Sequence, residues 1–246
     1  MPTVLITGIG GLLGGRLAHW ILANVPDSEI IGVDDWSCGY QQNVPDGGRC
    51  HAYTYRLGDG RQFLDTVFQV HAPDYVFHLA AYAAEGLSPF IRQYNYRNNL
   101  LATAEVVNAC LTRPVKRLVY TSSMAVYGRQ QPPYDEDLQP QPIDPYGVAK
   151  AAAEQDVRIA GEQHGLDWCV IRPHNVYGVG QDIWTPYRNV LGIWMARTLQ
   201  GLPMRVYGDG SQVRAFSCLT PGCSRKSMVL APVVNSTFTS TGPDTL

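Results

Sequence analysis

Short apolar runs alternate with longer stretches of helical period along most of the chain. The first run, TVLIT at 3–7, is apolar, rich in β-branched residues and five residues long. It predicts a parallel strand buried on both faces. A glycine turn follows, and LLGGRLAHWILANV then predicts a helix. The alternation repeats: EIIGVDD is a second strand, HAYTYRLGD a third, RQFLDTVFQVH a helix and DYVFHLAA a fourth strand. A long helix is expected from about Ser88 to Cys110, and VKRLVYTSS supplies a fifth strand. After a proline-rich loop at 132–145, the stretch DPYGVAKAAAEQDVRIAGEQHG carries its own punctuation. Asp144 sits at the N-cap, Pro145 at the first helical position and Gly165 just past the end. DWCVIRP is the sixth strand. Strands that alternate with helices over short connections predict an α/β fold, a Rossmann-type doubly wound parallel sheet.

Past residue 174 the pattern changes. VYGVGQDIWTPYRN reads as loop, VLGIWMARTLQG as a helix and MRVYG as a strand. They form a smaller lobe facing the carboxyl ends of the sheet, where α/β ligands sit. From Ser217 onward the composition changes again. Ten of the last thirty residues are Ser or Thr and three are charged, so the stretch reads as a flexible tail with MVLAPVV as its one strand candidate. Three parts are therefore expected: a Rossmann domain at 1–174, a partial substrate lobe at 175–216 and an atypical tail at 217–246.

Composition narrows the partners. The chain has 246 residues, 45% of them hydrophobic, enough for one large domain or one domain and part of a second. A net charge of −2 offers no basic field for nucleic acid. No apolar run reaches the ~18 residues of a membrane span, so no membrane partner is expected. The N-terminal MPTVLITG lacks the flanks of a signal peptide. Six cysteines are scattered without CxxC pairs. Reduced thiols and a cytoplasmic location follow. Cys218 and Cys223 are the one candidate pair, but nothing nearby completes a site, and no metal is expected.

Three motifs carry chemistry. TGIGGLLG places Gly8, Gly11 and Gly14 straight after a strand, at the opening of a helix. Glycines there permit a tight turn and close backbone approach. The helix N-terminal N–H groups at Leu12 and Leu13 then face a pyrophosphate. Asp34, twenty residues after Gly14 and followed by Asp35, stands where a carboxylate accepts hydrogen bonds from an adenosine ribose. That charge would repel a 2′-phosphate, so NAD is expected rather than NADP.

The second motif, YGVAK, puts Tyr146 and Lys150 on one face of a helix. A phenol of pKa ~10 is a poor base near neutrality. A cation about 4 Å away, at an effective dielectric of about 20, is worth roughly 4 kcal/mol. That would lower the phenol by up to about three pKa units, so Lys150 together with the positive nicotinamide is expected to make Tyr146 a usable general base. The third motif, YTSSMAVYG, ends the fifth strand in hydroxyls. Ser123 is the first choice to hydrogen-bond the substrate hydroxyl, with Ser122 and Thr121 as alternatives.

Together these motifs resemble the extended short-chain dehydrogenase/reductase family, specifically its NAD-dependent sugar-nucleotide epimerases and dehydratases. The resemblance runs from residue 3 to about 216. It implies that Asp59, beside Gly60 in GDGR, reads the adenine, and that Leu79, Ala80 and Ala81 of HLAAYAA lie beside the cofactor. It implies roles near the cofactor for Asn99 and Pro173 as well. Asn175 in RPHNVYG would contact the sugar nucleotide, and Arg214 would pair with its diphosphate. The 4,6-dehydratases of this family carry an Asp–Glu pair after the strand-end hydroxyl; here Met124 and Ala125 stand there. A decarboxylase's glutamate and a 3,5-epimerase's cysteine are missing too. The remaining set, cofactor with Ser123, Tyr146 and Lys150, suffices for 4-epimerisation of a UDP-hexose through a transient 4-keto sugar. A dehydrogenase or reductase of another substrate, or a non-catalytic NAD-binding fragment, are the alternatives. The resemblance also implies a homodimer packed through the helices at about 88–112 and 144–164. After RAF, SCLTPGCSRKS replaces the aromatic and paired acids usual in the family. The substrate lobe therefore looks truncated, and apolar surface is expected around Trp184, Ile193 and Trp194. NAD binding should survive while turnover is weak.

Overall fold

The computed structural model describes residues 1–206, 208–211, 213–219 and 237–241. Six parallel strands form the body of the sheet: β1 (Thr3–Thr7), β2 (Glu29–Asp34), β3 (Cys50–Thr54), β4 (Tyr75–His78), β5 (Arg117–Thr121) and β6 (Trp168–Arg172). They lie in the order β3-β2-β1-β4-β5-β6. Each of the six strands expected for the sheet is present.

The apolar runs are continuous because both faces of the sheet are covered. Along β1, Leu5 enters a core formed with α2 (Gln62–His71), α4 (Ala102–Thr112) and α5 (Pro145–His164). Its neighbours Val4 and Ile6 join Leu17, Ala18 and Ile21 of α1 (Leu12–Asn24) on the opposite face. Alternation of side chains along a strand divides them in this way. The chain adds β2 and β3 to one side of β1, then crosses to place β4 on the other. That reversal opens a crevice at the carboxyl ends of β1 and β4.

The helix expected from Ser88 begins later and is not uniform. A 3₁₀ turn at Glu85–Phe90, which contains Pro89, takes its place at the start. The helix itself runs as α3 (Arg92–Tyr96), a π-helical turn at Arg97–Leu101 and α4. The punctuation of α5 is as expected: Asp144 accepts from the Gly147 N–H at 2.9 Å, and Gly165 ends the helix at φ 71°.

The lobe is thinner. Within the stretch read as loop, β7 (Asn175–Tyr177) pairs in parallel with β8 (Phe216–Cys218), and α6 (Val190–Leu199) lies between them in sequence. The strand expected at MRVYG is not seen among the described residues: Met204–Val206 are irregular and exposed. Tyr207, MVLAPVV and Cys223 lie outside the described residues. A second correction concerns the tail. β9 (Thr237–Thr241) pairs antiparallel with β6, Arg172 opposite Thr237 and Trp168 opposite Thr241. Four of its five residues are Ser or Thr, and threonine's branched Cβ suits a strand better than a free tail.

Candidate active site

The glycine turn is required by its surroundings. Gly8 has φ +74°, and a Cβ there would lie 2.8 Å from the Ala80 nitrogen. A Cβ on Gly14 would lie 2.1 Å from the Gly8 carbonyl oxygen, so helix and turn pack only without one. Gly11 begins α1 with no side-chain cap, leaving the first N–H groups, at Leu12 and Leu13, without a side-chain acceptor. Such a terminus attracts an anion.

A cleft opens over this turn, lined by Gly8, Gly11, Val33, Asp34, Asp35, Leu79, Ala80 and Ala81, among others. Asp34 is buried, and its carboxylate accepts from the N–H groups of Gly10 at 2.9 Å and Trp36 at 2.8 Å. Burial still raises its pKa, against those bonds and with the Asp35 charge adding to the effect. Burial also pushes Asp35 upward, but bonds from Ser37 and Arg56 outweigh it and lower its pKa. The fit to a dinucleotide is therefore concrete: free N–H groups for a diphosphate, a carboxylate at the end of β2 and small residues at the end of β4.

Other expected residues stand elsewhere. Asp59 is ion-paired with Arg97, and the Gly60 N–H donates to Glu105, so this loop is fastened to the helix below it. Neither residue lines the cleft. Asn99 is buried: it accepts from the Tyr82 N–H at 3.0 Å and donates to Asn95 at 2.9 Å. Its neighbour Asn98 lines the cleft instead. Pro173 uses its carbonyl to hold the Met124 N–H at 3.2 Å. Sequence reasoning missed the Ser37–Gly39 segment, Tyr55, Leu57 and Tyr82, all of which line the cleft. One signal was available in WSCGY: a Cβ on Gly39 would stand 2.9 Å from both Asp34 oxygens.

Beside the cleft, β5 and α5 bring Ser123, Tyr146 and Lys150 together. The Ser123 hydroxyl is near enough to the Tyr146 phenol to lower its pKa, and it accepts from the Ala125 N–H at 3.1 Å. The Lys150 ammonium donates to the Thr121 carbonyl at 2.8 Å and lies 5.9 Å from the Tyr146 ring centre. The expected lowering of the phenol is not observed. Burial raises Tyr146 to about 12, the Ser123 hydroxyl opposes this, and the Glu85 and Asp144 charges push further upward. Burial likewise depresses Lys150 to about 7, against the pull of Glu154. The site is dry, so each group favours its neutral form. Behind it, Arg172 grips Glu154 at 2.7 Å and Tyr127 at 3.1 Å, an ion pair almost wholly out of water.

The substrate candidates divide. Ser122 is buried, and its hydroxyl has no partner among the described residues. Asn175 opens β7 opposite Phe216, and Arg214 lies two residues before that strand. Arg214 is exposed and exerts its charge on Glu85. Trp184 is exposed as expected, whereas Ile193 and Trp194 are half-buried.

The arrangement has known counterparts. The profile of the NAD dependent epimerase/dehydratase family matches residues 4–218. A UDP-glucose 4-epimerase of Azospirillum brasilense is 34% identical over 181 residues, 72% of this chain and 50% of that protein. One from Mycolicibacterium smegmatis is 29% identical, covering 86% of this chain and 68% of its own length. The chain thus spans half to about two thirds of the length of these relatives. The structure of the Thermotoga maritima UDP-glucose 4-epimerase with UDP-glucose aligns with a TM-score of 0.81 at 29% identity, covering 88% of this chain and 69% of that one. The Thermus thermophilus UDP-glucose 4-epimerase complex with NAD aligns with a TM-score of 0.79 at 30% identity, covering 88% and 70%. A profile match that runs from β1 through β8 spans the sheet and the small ladder alike: the chain belongs to the NAD-dependent epimerase/dehydratase family.

Proposed function

We propose that the chain binds NAD in the cleft and epimerises a nucleotide-activated sugar, of the UDP-hexose 4-epimerase type. The observation that carries this reading is the meeting of Ser123, Tyr146 and Lys150 beside a cleft shaped for a dinucleotide. When bound, NAD supplies a reversible hydride acceptor and the positive charge of its oxidised ring. That charge, with Lys150, favours the Tyr146 phenolate that burial alone disfavours. Tyr146 then takes the proton from the sugar hydroxyl and later returns it. Ser123 holds the sugar oxygen while its carbon is a transient ketone. Lys150, fixed by the Thr121 carbonyl, sustains the charge on the phenol. Met124 and Ala125 supply no further acid or base, which favours epimerisation over dehydration.

Asn175 and Arg214 serve as the sugar-nucleotide contacts, Arg214 toward the diphosphate. Asp59, Asn99 and Pro173 support the cofactor from outside the cleft wall. A homodimer through α4 and α5 accords with exposed Leu101, Val148 and Ile159 along that region. Turnover is weak in this form because the lobe leaves Trp184, Met195 and Leu199 more than half exposed rather than packed around a substrate.

Tyr146→Phe should retain NAD and lose turnover of UDP-hexoses by about 10²–10⁴-fold, followed by NMR of the sugar. Unchanged turnover would sink the assignment. A second reading, oxidation of a substrate without a diphosphate, draws on Arg214 being exposed and, among the described residues, bonded to the Val213 carbonyl at 2.9 Å. Arg214→Ala then leaves activity intact, and UDP fails to inhibit.

A further inference from the structure

Residues 179–189 belong to the lobe by sequence, yet four hydrogen bonds tie them to the other half of the molecule. We propose that this segment is a strap across the cofactor cleft, latched to three of its walls, and that the latches set the rate of NAD exchange. The inference rests on the NAD reading above and concerns residues that do not line the cleft.

The first latch joins the glycine turn. The Asn43 amide donates to the Gly10 carbonyl at 2.8 Å and to the Gly180 carbonyl at 2.9 Å, bridging turn and strap with one side chain. Gly180 has φ +95°, and a Cβ there would lie 2.5 Å from the Asn43 side-chain oxygen. The fit therefore depends on a glycine. Next to it, Arg16 of α1 donates to the Val179 carbonyl at 3.1 Å. The second latch joins the segment after β2. The Tyr40 hydroxyl donates to Asp182 at 3.0 Å, and the Arg188 charge acts on the Cys38 thiol of the cleft wall. The third latch joins the segment after β4. Arg188 donates to the Ala83 carbonyl at 3.1 Å and stands 5.7 Å from the ring centre of Tyr82, another wall residue.

The strap is itself braced. Asp182 accepts from the Trp184 N–H at 2.9 Å and pairs with Arg188 at 3.6 Å, both side chains at least 85% withdrawn from water. At its far end, Asn189 donates to the Val176 carbonyl at 2.9 Å and caps α6. The braced segment thus tilts as a unit with the lobe. Its latches fall on the chain segments that form the walls, so releasing them and opening the cleft are one motion. A dinucleotide lying between these walls has to break them to leave or to enter.

The test uses the full chain loaded with NAD, with release followed by rapid filtration and uptake by quenching of protein fluorescence. Tyr40→Phe removes one hydroxyl, and Asn43→Ala removes the bridge. Each should release NAD about tenfold faster, the effect of one lost hydrogen bond. Uptake should quicken in step, so that Kd moves far less than the release rate. Unchanged release in both variants overturns the strap. Faster release with unchanged uptake also overturns it, because that pattern marks a lost contact rather than a gate. If Asn43→Ala does not fold, Tyr40→Phe alone decides. A chain that takes up no NAD overturns the strap and the cofactor reading together, whereas NAD uptake without sugar turnover leaves the strap test intact.

Discussion

The sheet and the lobe solve the problem of burial differently. In the sheet, Leu5, Ile6, Ile30, Ile31, Val76 and Leu118 are wholly buried, and the central strands are covered on both faces. In the lobe, only Gly192 and Ala196 of α6 are buried, and the β7–β8 ladder is three residues long. A strand in the middle of the sheet is fixed by two neighbours and two layers of helix. The lobe is fixed chiefly by polar bonds from its strap to the sheet half. Hydrophobic burial thus holds one region, and a small number of directed hydrogen bonds orient the other.

The contrast can be tested by unequal losses. The largest effect is expected at Glu154→Gln, which strands the Arg172 guanidinium in a site 3% exposed. Removing one partner of a buried pair should destabilise the chain by about 3–5 kcal/mol, read by urea unfolding. Gly14→Ala comes next. Its Cβ meets the Gly8 carbonyl, and overpacking of this kind costs about 1–3 kcal/mol. It should also displace the N–H groups that receive NAD, so the NAD-induced rise in Tm should vanish as well.

Acidification is third. His78 is buried between Thr7 and Thr103, and burial, reinforced by the Lys150 charge, lowers it from 6.5 to about 3. Between those values the unfolded chain binds a proton that the folded chain refuses. Stability should therefore fall as pH drops below 6.5, by about 1 kcal/mol per pH unit from this residue. A flat profile from pH 6.5 to 5 would show that the buried ring finds another way to carry charge. The smallest effect is expected in the lobe. Leu199 is 69% exposed, so Leu199→Lys should change stability by less than about 0.5 kcal/mol. A larger loss would mean that the lobe is packed far more tightly than its surface indicates.

The same contrast explains what could be read from sequence. Strands buried on both faces leave continuous apolar runs, so β1, β2, β4, β5 and β6 were legible on that ground, and β3, half exposed at the edge, by its place in the alternation. Each half of the β7–β8 ladder owes its existence to a partner about forty residues away, and three residues show no period. The glycine turn, Asp34 and the Tyr146–Lys150 pair were legible because their spacing is local. Ser37–Gly39 and Tyr82 were not, because their roles depend on chain paths after β2 and β4. The lowered phenol was expected from one cation and failed because burial acts on both partners at once. Asn99 was expected from the resemblance alone, and a motif match gives no warning of the π turn in which Asn99 is buried and Asn98 lines the cleft.

That turn has a consequence for the lineage of the chain. A π turn houses one residue more than an α-helix of the same rise, so residues before and after it are out of phase by about 100°. On one side of the offset Asn95 faces inward; on the other, Thr103, Val106 and Cys110 do. Deleting a single residue at 97–101 would give a more regular helix and a worse protein, since one of the two faces would then turn to water. The irregularity works as a phase corrector, and it leaves this helix unusually intolerant of insertion or deletion at its midpoint.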